Sequence, residues 1–189
     1  AVAAAAAAAA GGGADDAAVA KLFDDTPEHI RVWFPILTGL ARIVAHPHID
    51  VRTAALKVLF SLLTELGGSF SPALTRHIFA GVLLPIFDSV QYADDEDVEW
   101  LNTTCLNALR SMVDLVSVLH ASKPFLVNDL LDLLVRCMLQ ENESLGEIGS
   151  SCFLQFITHN GGHFDARTWH AVVDKFVLIV DGNTPRPPP

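Results

Sequence analysis

Apolar residues recur every three to four positions along most of the chain after residue 26, which is the spacing of amphipathic helices. The clearest pattern runs from Asp50 to Phe87 and is repeated from Ser144 to Asp181, at a displacement of 161 − 67 = 94 residues. In each copy a helical pattern stops at two glycines, a phenylalanine follows shortly after, and a second apolar pattern begins. The matching apolar positions are Val58 with Cys152, Leu59 with Phe153, Leu62 with Phe156 and Leu63 with Ile157.

A displacement of 94 residues equals two units of 47, which is near the length of a HEAT or armadillo helix pair. The middle unit is expected 47 residues after Val51, and Val98 opens such a stretch. No segment shows sustained alternation with period two, so we expect no sheet. The pattern predicts an all-α fold, a HEAT/armadillo-like α-solenoid of about three antiparallel helix pairs plus a leading helix. Solenoids of this kind build long binding surfaces.

Local signals place the ends of the first two helices. Thr26 as N-cap and Pro27 as first residue predict the start of the leading helix, and Pro35 inside it predicts a kink or a split. Asp50 is predicted to cap the second helix, which should stop at the glycine pair beginning at Gly67.

The third and fourth helices are separated by an acidic loop. Ser71 and Pro72 predict the start of the third helix, which should reach about Phe87 and be bent or interrupted at Pro85. The acidic run 94–97 then places negative charge at the start of the fourth helix, where the helix dipole favours it.

Three further helices are expected in the second half of the chain. The fifth starts after Pro124, and Ser144 with Glu147 resembles a capping box for the sixth. The seventh runs from Asp165 to about Val180. Together these boundaries predict a helical repeat domain over residues 25–181.

The regions outside that domain have biased composition. Residues 1–24 are mostly Ala, Gly and Asp and are predicted to be a low-complexity linker, because a stable core cannot be built from them. The run 1–10 lacks the positive region of a secretory signal. Residues 182–189 form a Pro-rich tail. No apolar run reaches the roughly 18 residues that a membrane span needs.

The charge of the chain excludes some partners. A formal charge of −10 with only 12 Lys and Arg argues against nucleic acid and against direct electrostatic attachment to an anionic membrane. The three cysteines lie far apart inside apolar helical patterns, which predicts buried reduced thiols and a cytosolic setting. They are Cys105, Cys137 and Cys152.

No arrangement typical of an enzyme or a metal site is visible. The closest histidine pairs, His46 with His48 and His159 with His163, lack further ligands at a zinc spacing. There is no GxSxG elbow, and the Gly-rich pieces lack the Lys, Ser or Thr of a phosphate loop. We therefore expect no catalytic residue, no metal and no cofactor.

Three tryptophans, Trp33, Trp100 and Trp169, each fall at a predicted helix start. Two interpretations stay open for them. They pack between repeats, or they are hot spots that bind a partner protein.

Four segments together resemble a known family. They are WFPILTGLARIV at 33–44, DVRTAALKVLFSLL at 50–63, WLNTTCLNALRSMVDL at 100–115 and QENESLGEIGSSCFLQFITHNGGHF at 140–164. In order and spacing they are similar to the region downstream of the catalytic domain in large Arf guanine-nucleotide exchange factors of the BIG type, the brefeldin A-inhibited exchange factors of the trans-Golgi network. Within the last segment Gly146 and Glu147 differ from the Leu-Ala-Arg-Ile-Gly-like sequence that is usual in the family.

The resemblance implies a function that the residues alone do not. The exchange domain of the family, with its catalytic glutamate, has no counterpart here, so this chain is expected not to be an enzyme. The resemblance implies a regulatory HEAT-like segment whose partners are small GTPases of the Arf or Rab type and other segments of the same exchange factor, with a homodimer through the full-length protein as a further expectation. It implies a cytoplasmic protein, peripheral on trans-Golgi or endosomal membranes. A generic HEAT-repeat scaffold of another assembly is the alternative.

Overall fold

A computed structural model of the protein describes residues 27–92, 101–140 and 142–183. The predicted linker 1–24, most of the predicted tail 182–189, Thr26, the acidic run 94–97 and Trp100 lie outside the described residues, so what the sequence indicates for them stays a prediction. Within the described ranges there are helices and no strand. The α-helices are α1 (Pro27–Ile43), α2 (Ile49–Leu66), α3 (Pro72–Ile78), α4 (Leu106–Leu119), α5 (Phe125–Met138), α6 (Glu143–Asn160) and α7 (Ala166–Asn183).

The helices pack in two layers. Helices α2, α4 and α6 lie side by side in one layer, where α4 contacts both of the others. Helices α1, α3, α5 and α7 form the other layer: α1 contacts α3, and α5 contacts α7. The predicted all-α, solenoid-like fold is confirmed.

Apolar side chains from both layers meet in one continuous core. Its fully buried members include Leu59 of α2, Leu109 of α4, Leu130 of α5 and Phe156 of α6. Burying a side chain of this size stabilises the fold by roughly 1.5–3 kcal/mol, because apolar surface leaves water. The core positions follow the helical spacing that the sequence displays.

Several predicted helix ends are confirmed. Ser71 caps α3 by accepting a hydrogen bond from the Leu74 N–H at 3.0 Å. Helix α7 was predicted from Asp165 to about Val180 and is found over Ala166–Asn183. Asp165 lies directly before it as a cap, since its carboxylate accepts from the Thr168 N–H at 2.8 Å. Hydrogen bonds from the side chain and the backbone N–H of Thr168 lower the pKa of the Asp165 carboxyl group. Helix α2 ends directly before Gly67, as predicted.

Two predicted caps are wrong. Helix α2 begins one residue before Asp50, so His48 is the N-cap and Asp50 lies in the first turn, where its charge still suits the helix dipole. Helix α6 is capped by Asn142 rather than Ser144, because Asn142 Oδ1 accepts from the Leu145 N–H at 3.1 Å. Asparagine is a strong N-cap residue, and it precedes the serine in the chain.

The two prolines predicted to disturb helices behave differently. Pro35 does not split α1, which is one helix from Pro27 to Ile43. Pro35 and Arg31, the residue one turn before it, are both exposed, so the disturbed turn lies on the solvent side of the helix. Before Pro85, in contrast, regular α-helix ends at Ile78.

The interruption near Pro85 is a change of helix type. A π turn covers Phe79–Leu83 and a 3-10 helix follows over Leu84–Tyr92. A π turn widens the helix by one residue, and such turns are common where the regular hydrogen-bond ladder is broken. The prediction of a bent or interrupted third helix is confirmed. A second π turn, Leu101–Cys105, leads into α4.

The first glycine of each pair, directly after α2 and α6, has a close side-chain neighbour, whereas Gly68 and Gly162 have open space around them. Gly67 has right-handed helical dihedrals, and so does Gly161, so neither is a left-handed cap. A Cβ on Gly67 would lie 3.1 Å from Leu119 Cδ1, and one on Gly161 would lie 3.1 Å from Trp169 Cζ2. Each glycine therefore lets a neighbouring apolar side chain approach the end of the helix.

Candidate interaction surfaces

Buried polar side chains hold the layers in register. Arg52 of α2 is buried, and its Nε donates to Thr104 Oγ1 at 2.9 Å. The same guanidinium donates to the carbonyls of His46 and Pro47 at 3.1 and 2.9 Å. Because a buried charge is costly unless it is hydrogen-bonded, this arrangement fixes α2 against the start of α4.

Two further polar contacts act at the opposite ends of these helices. Lys123 is buried, and its Nζ donates to the Gly68 carbonyl at 3.2 Å; burial lowers its pKa. Asn160 Nδ2 at the end of α6 donates to Ser117 Oγ on α4 at 2.8 Å. Sequence reasoning missed Arg52 and Lys123 as structural residues. For Arg52 the available signal was a basic residue inside a helical apolar pattern, whereas Lys123 lies between two helices and gave no such signal.

A polar groove runs between α2 and α4. Its volume is about 570 Å³, and most of the residues that line it are polar or charged. Lys57 and Glu65 come from α2, and Arg110 and Asp114 come from α4. Both charge signs are present on both walls, an arrangement suited to a polar protein surface or peptide.

Trp33, the first of the three tryptophans predicted to pack or to bind a partner, packs mainly inside the protein. Trp33 of α1 is half-buried and packs against the core. It lines a small apolar cavity of about 10 Å³ together with Phe70 and Leu74. This placement suits the packing interpretation, and a role in partner binding stays a prediction.

The second described tryptophan is more open. Trp169 is 40% exposed at the start of α7, and its ring meets Phe164 edge-on at 5.7 Å between centroids. Phe164 in turn contacts Phe156 of the core at 5.5 Å. One edge of Trp169 is therefore anchored while the other faces solvent. Trp33 and Trp169 lie on the first and last described helices, so they do not form one site.

Trp169 begins an exposed apolar row that we call the α7 stripe. Its members are between 40% and 57% exposed and recur at helical spacing along one side of α7. They are Trp169, Val173, Phe176, Val177 and Val180. A neighbouring side of the same helix carries Val172 and Ile179, which are buried. The stripe is thus apolar surface beyond what the described fold covers.

The three cysteines do not form a reactive site. All are free and buried, as predicted. Burial raises the pKa of the Cys137 thiol to about 12 and that of the Cys152 thiol to about 11, and it raises the pKa of Cys105 as well. Since the thiolate is the nucleophile, thiols with raised pKa values are inert near neutral pH.

The remaining chemistry on the described residues is sparse. Among them, no three His, Cys, Asp or Glu side chains converge to hold a metal ion. None of the described helices combines the length and the apolar character needed to cross a membrane.

Several residues of the segment 140–164, which carries the family resemblance, serve packing. Leu145, Ile148, Gly149 and Cys152 are buried on the α6 face that meets α5 and α4. At Gly149 an added Cβ would lie 3.0 Å from Cys137 Cβ and 3.2 Å from the Leu134 carbonyl oxygen. Gly149 therefore allows the close approach of α6 to α5.

The two layers of packed helices define the class of the protein as all-α and solenoid-like. The chain is 32% identical over 162 residues to the ADP-ribosylation factor guanine nucleotide-exchange factor SEC7 of Saccharomyces cerevisiae, which covers 81% of this chain and 8% of that protein. It is 31% identical over 179 residues to the brefeldin A-inhibited guanine nucleotide-exchange protein 3 of Arabidopsis thaliana, covering 86% of the chain and 10% of the relative. The human brefeldin A-inhibited guanine nucleotide-exchange protein 1 is 29% identical over 177 residues, covering 85% and 10%.

The chain belongs to the BIG- and Sec7-type family of Arf exchange factors, which confirms the resemblance. It spans about a tenth of the length of the curated relatives that it matches. No family model matches the sequence, and no solved structure matches it.

Proposed function

We propose that this chain is a non-catalytic regulatory and protein-interaction segment of a Golgi Arf guanine-nucleotide exchange factor. The observation that carries the proposal is its match, over most of its own length, to a small part of proteins named as exchange factors. The segment would act on the exchange domain through autoinhibition, membrane recruitment or GTPase binding. Its HEAT-like stack is suited to this work because a rigid solenoid presents a continuous surface.

The proposed partners are small GTPases of the Arf or Rab type and other segments of the same exchange factor. The groove between α2 and α4 is the surface that we assign to them, because it offers charged side chains of both signs on helices fixed by buried hydrogen bonds. Electrostatic complementarity of this kind sets partner choice and association rate. The proposed setting is the cytoplasmic face of trans-Golgi or endosomal membranes.

The first test deletes residues 27–183 from the full exchange factor. The expected result is a changed rate of nucleotide exchange on Arf, or changed recruitment to Golgi membranes or changed GTPase binding. If all three properties stay as in the wild type, the regulatory proposal is wrong although the family assignment stands.

A sharper test reverses two charges of the groove with Lys57→Glu and Arg110→Glu in one chain. Binding to GTP-loaded or GDP-loaded Arf or Rab proteins, measured by pulldown, is expected to fall by about tenfold or more if these side chains face the partner. The matched control, Arg31→Glu with Arg167→Glu, makes the same change of charge at exposed positions of α1 and α7. Equal binding by the two double variants would remove the groove from the proposal.

A further inference from the structure

The α7 stripe occupies positions that are buried in the other copy of the repeat. Under the displacement of 94 residues, its five members correspond to residues of α3 and its π turn and 3-10 extension that are at most 7% exposed. These are Thr75, Phe79, Val82, Leu83 and Ile86. The same place in the repeat is therefore covered in one copy and open in the other.

The two copies share the neighbour that precedes them in the layer. Helix α1 packs against the π turn Phe79–Leu83, and α5 packs against α7 in the corresponding way. The α5–α7 contact includes an ion pair between Lys175 and Asp132. Since both copies have this earlier neighbour, it does not explain the difference in exposure.

The copies differ in the neighbour that follows. Arg76 of α3 lies 4.3 Å above the ring of Phe125 at the start of α5. Phe87 shares a small cavity with Leu133 and Cys137 of α5, and the 3-10 helix Leu84–Tyr92 contacts the turn Leu101–Cys105. The next helix pair thus covers the first copy, whereas no described helix follows α7.

We propose that the α7 stripe is an internal face of a longer solenoid, covered by a further helix pair of the same polypeptide. The occupant is an amphipathic antiparallel pair whose apolar side chains meet the stripe, as α5 and the π turn before α4 meet α3 and its 3-10 extension. The stripe extends along α7 for about 16 Å at 1.5 Å per residue, which is enough for three turns of a partner helix. The relatives are about ten times longer than this chain and leave room for such a pair.

Cysteine labelling tests the proposal directly. Phe176→Cys places a thiol in the middle of the stripe, and Val118→Cys places a control thiol on α4, where the native side chain is 59% exposed. The native thiols give little background because they are buried with raised pKa values. Reaction with a maleimide is measured in the 189-residue chain and in the full-length exchange factor.

The expected result is rapid labelling of both variants in the 189-residue chain. In the full-length protein the Phe176→Cys thiol should react about 100-fold more slowly, because it reacts only when the covering helices open. The Val118→Cys thiol should keep its rate. A full-length protein truncated directly after the next helix pair should retain the protection.

Three results would overturn the proposal. Fast labelling of Phe176→Cys in the full-length protein would show that the stripe is open there. Protection in the 189-residue chain that disappears on dilution would assign the stripe to a second copy. Protection that requires a segment beyond the next helix pair would assign it to a distant part of the chain. Because no result depends on GTPase binding, failure here is separate from failure of the proposed function.

Discussion

Two glycines in α6, three residues apart, are predicted to respond in opposite directions to the same substitution. A Cβ on Gly146 would have only the Met138 carbonyl oxygen nearby, at 3.8 Å, an ordinary contact distance. A Cβ on Gly149 would lie 3.0 Å from both Cys137 Cβ and Met138 Cγ.

The magnitudes follow from two opposing effects. Alanine in place of glycine within a helix stabilises by about 0.5–1 kcal/mol, because the unfolded chain loses conformational freedom and the helix gains propensity. At Gly149 this gain competes with overpacking, which costs about 1–3 kcal/mol when neighbours cannot move. Two of the atoms near Gly149 are the Cys137 Cβ and the Leu134 carbonyl oxygen. Because both are fixed by the backbone of α5, they cannot move away without shifting the helix.

We therefore expect Gly146→Ala to raise the free energy of unfolding by about 0.5–1 kcal/mol and Gly149→Ala to lower it by about 1–2 kcal/mol. The assay is urea unfolding of the 189-residue chain followed by circular dichroism. The melting temperatures should move by about 2–4 °C for each kcal/mol. If Gly149→Ala proves as stable as Gly146→Ala, the close approach of α5 and α6 at this glycine is refuted.

Three further predictions concern the core, the thiols and a buried polar contact. Phe156→Ala should lower the free energy of unfolding, measured in urea, by about 3–5 kcal/mol because it leaves a cavity at a fully buried position. The control Leu154→Ala, at a 66% exposed position of the same helix, should change it by less than about 0.5 kcal/mol. Similar changes in the two variants would contradict the burial of Phe156. The pKa values of the Cys137 and Cys152 thiols are raised from the ordinary thiol value of 9.0 to about 12 and about 11 in the fold. Their contribution to stability is therefore fully present below pH 9.0 and is lost as the pH rises through these values, because the unfolded thiols ionise first. Unfolding free energy should then fall with pH above 9.0 by up to about 1.4 kcal/mol per pH unit for each thiol, and a variant with all cysteines changed to alanine should lose that slope while Lys123 still titrates; an unchanged slope would argue against buried thiols. Thr104→Val leaves Arg52 Nε without its hydrogen-bond partner and should lower the free energy of unfolding by about 1–3 kcal/mol. In a double-mutant cycle with Arg52→Met, the effect of Thr104→Val should become smaller, because the hydrogen bond is already lost; an unchanged effect would show that the two residues are not coupled.

The surface that the sequence singled out is only partly the surface that the fold leaves open. The tryptophans at helix starts were predicted either to pack between repeats or to bind a partner, and the fold has Trp33 half-buried against the core and Trp169 anchored along one edge. The groove between α2 and α4 was not predicted at all. Its lining residues are 50 or so positions apart in the chain, and no local pattern shows that they face each other.

What the sequence determined by itself is the set of helices and much of their register. Helical spacing of apolar residues, the glycine pair at 67 and 68, and the caps at Ser71 and Asp165 act within about one helical turn, so they can be read from neighbours in the chain. The displacement of 94 residues likewise predicted the stack, because equivalent units pack in equivalent ways.

What only the tertiary structure decided depends on residues far apart in the chain. Arg52 is buried because Thr104 reaches it across 52 positions, and Lys123 because Gly68 lies 55 positions away. The role of Gly149 is visible only when α5 is placed 3.0 Å from it. The two copies of the repeat carry similar apolar patterns, but among the described residues only the first copy has a following helix pair packed on it, so its face is core while the α7 stripe is exposed.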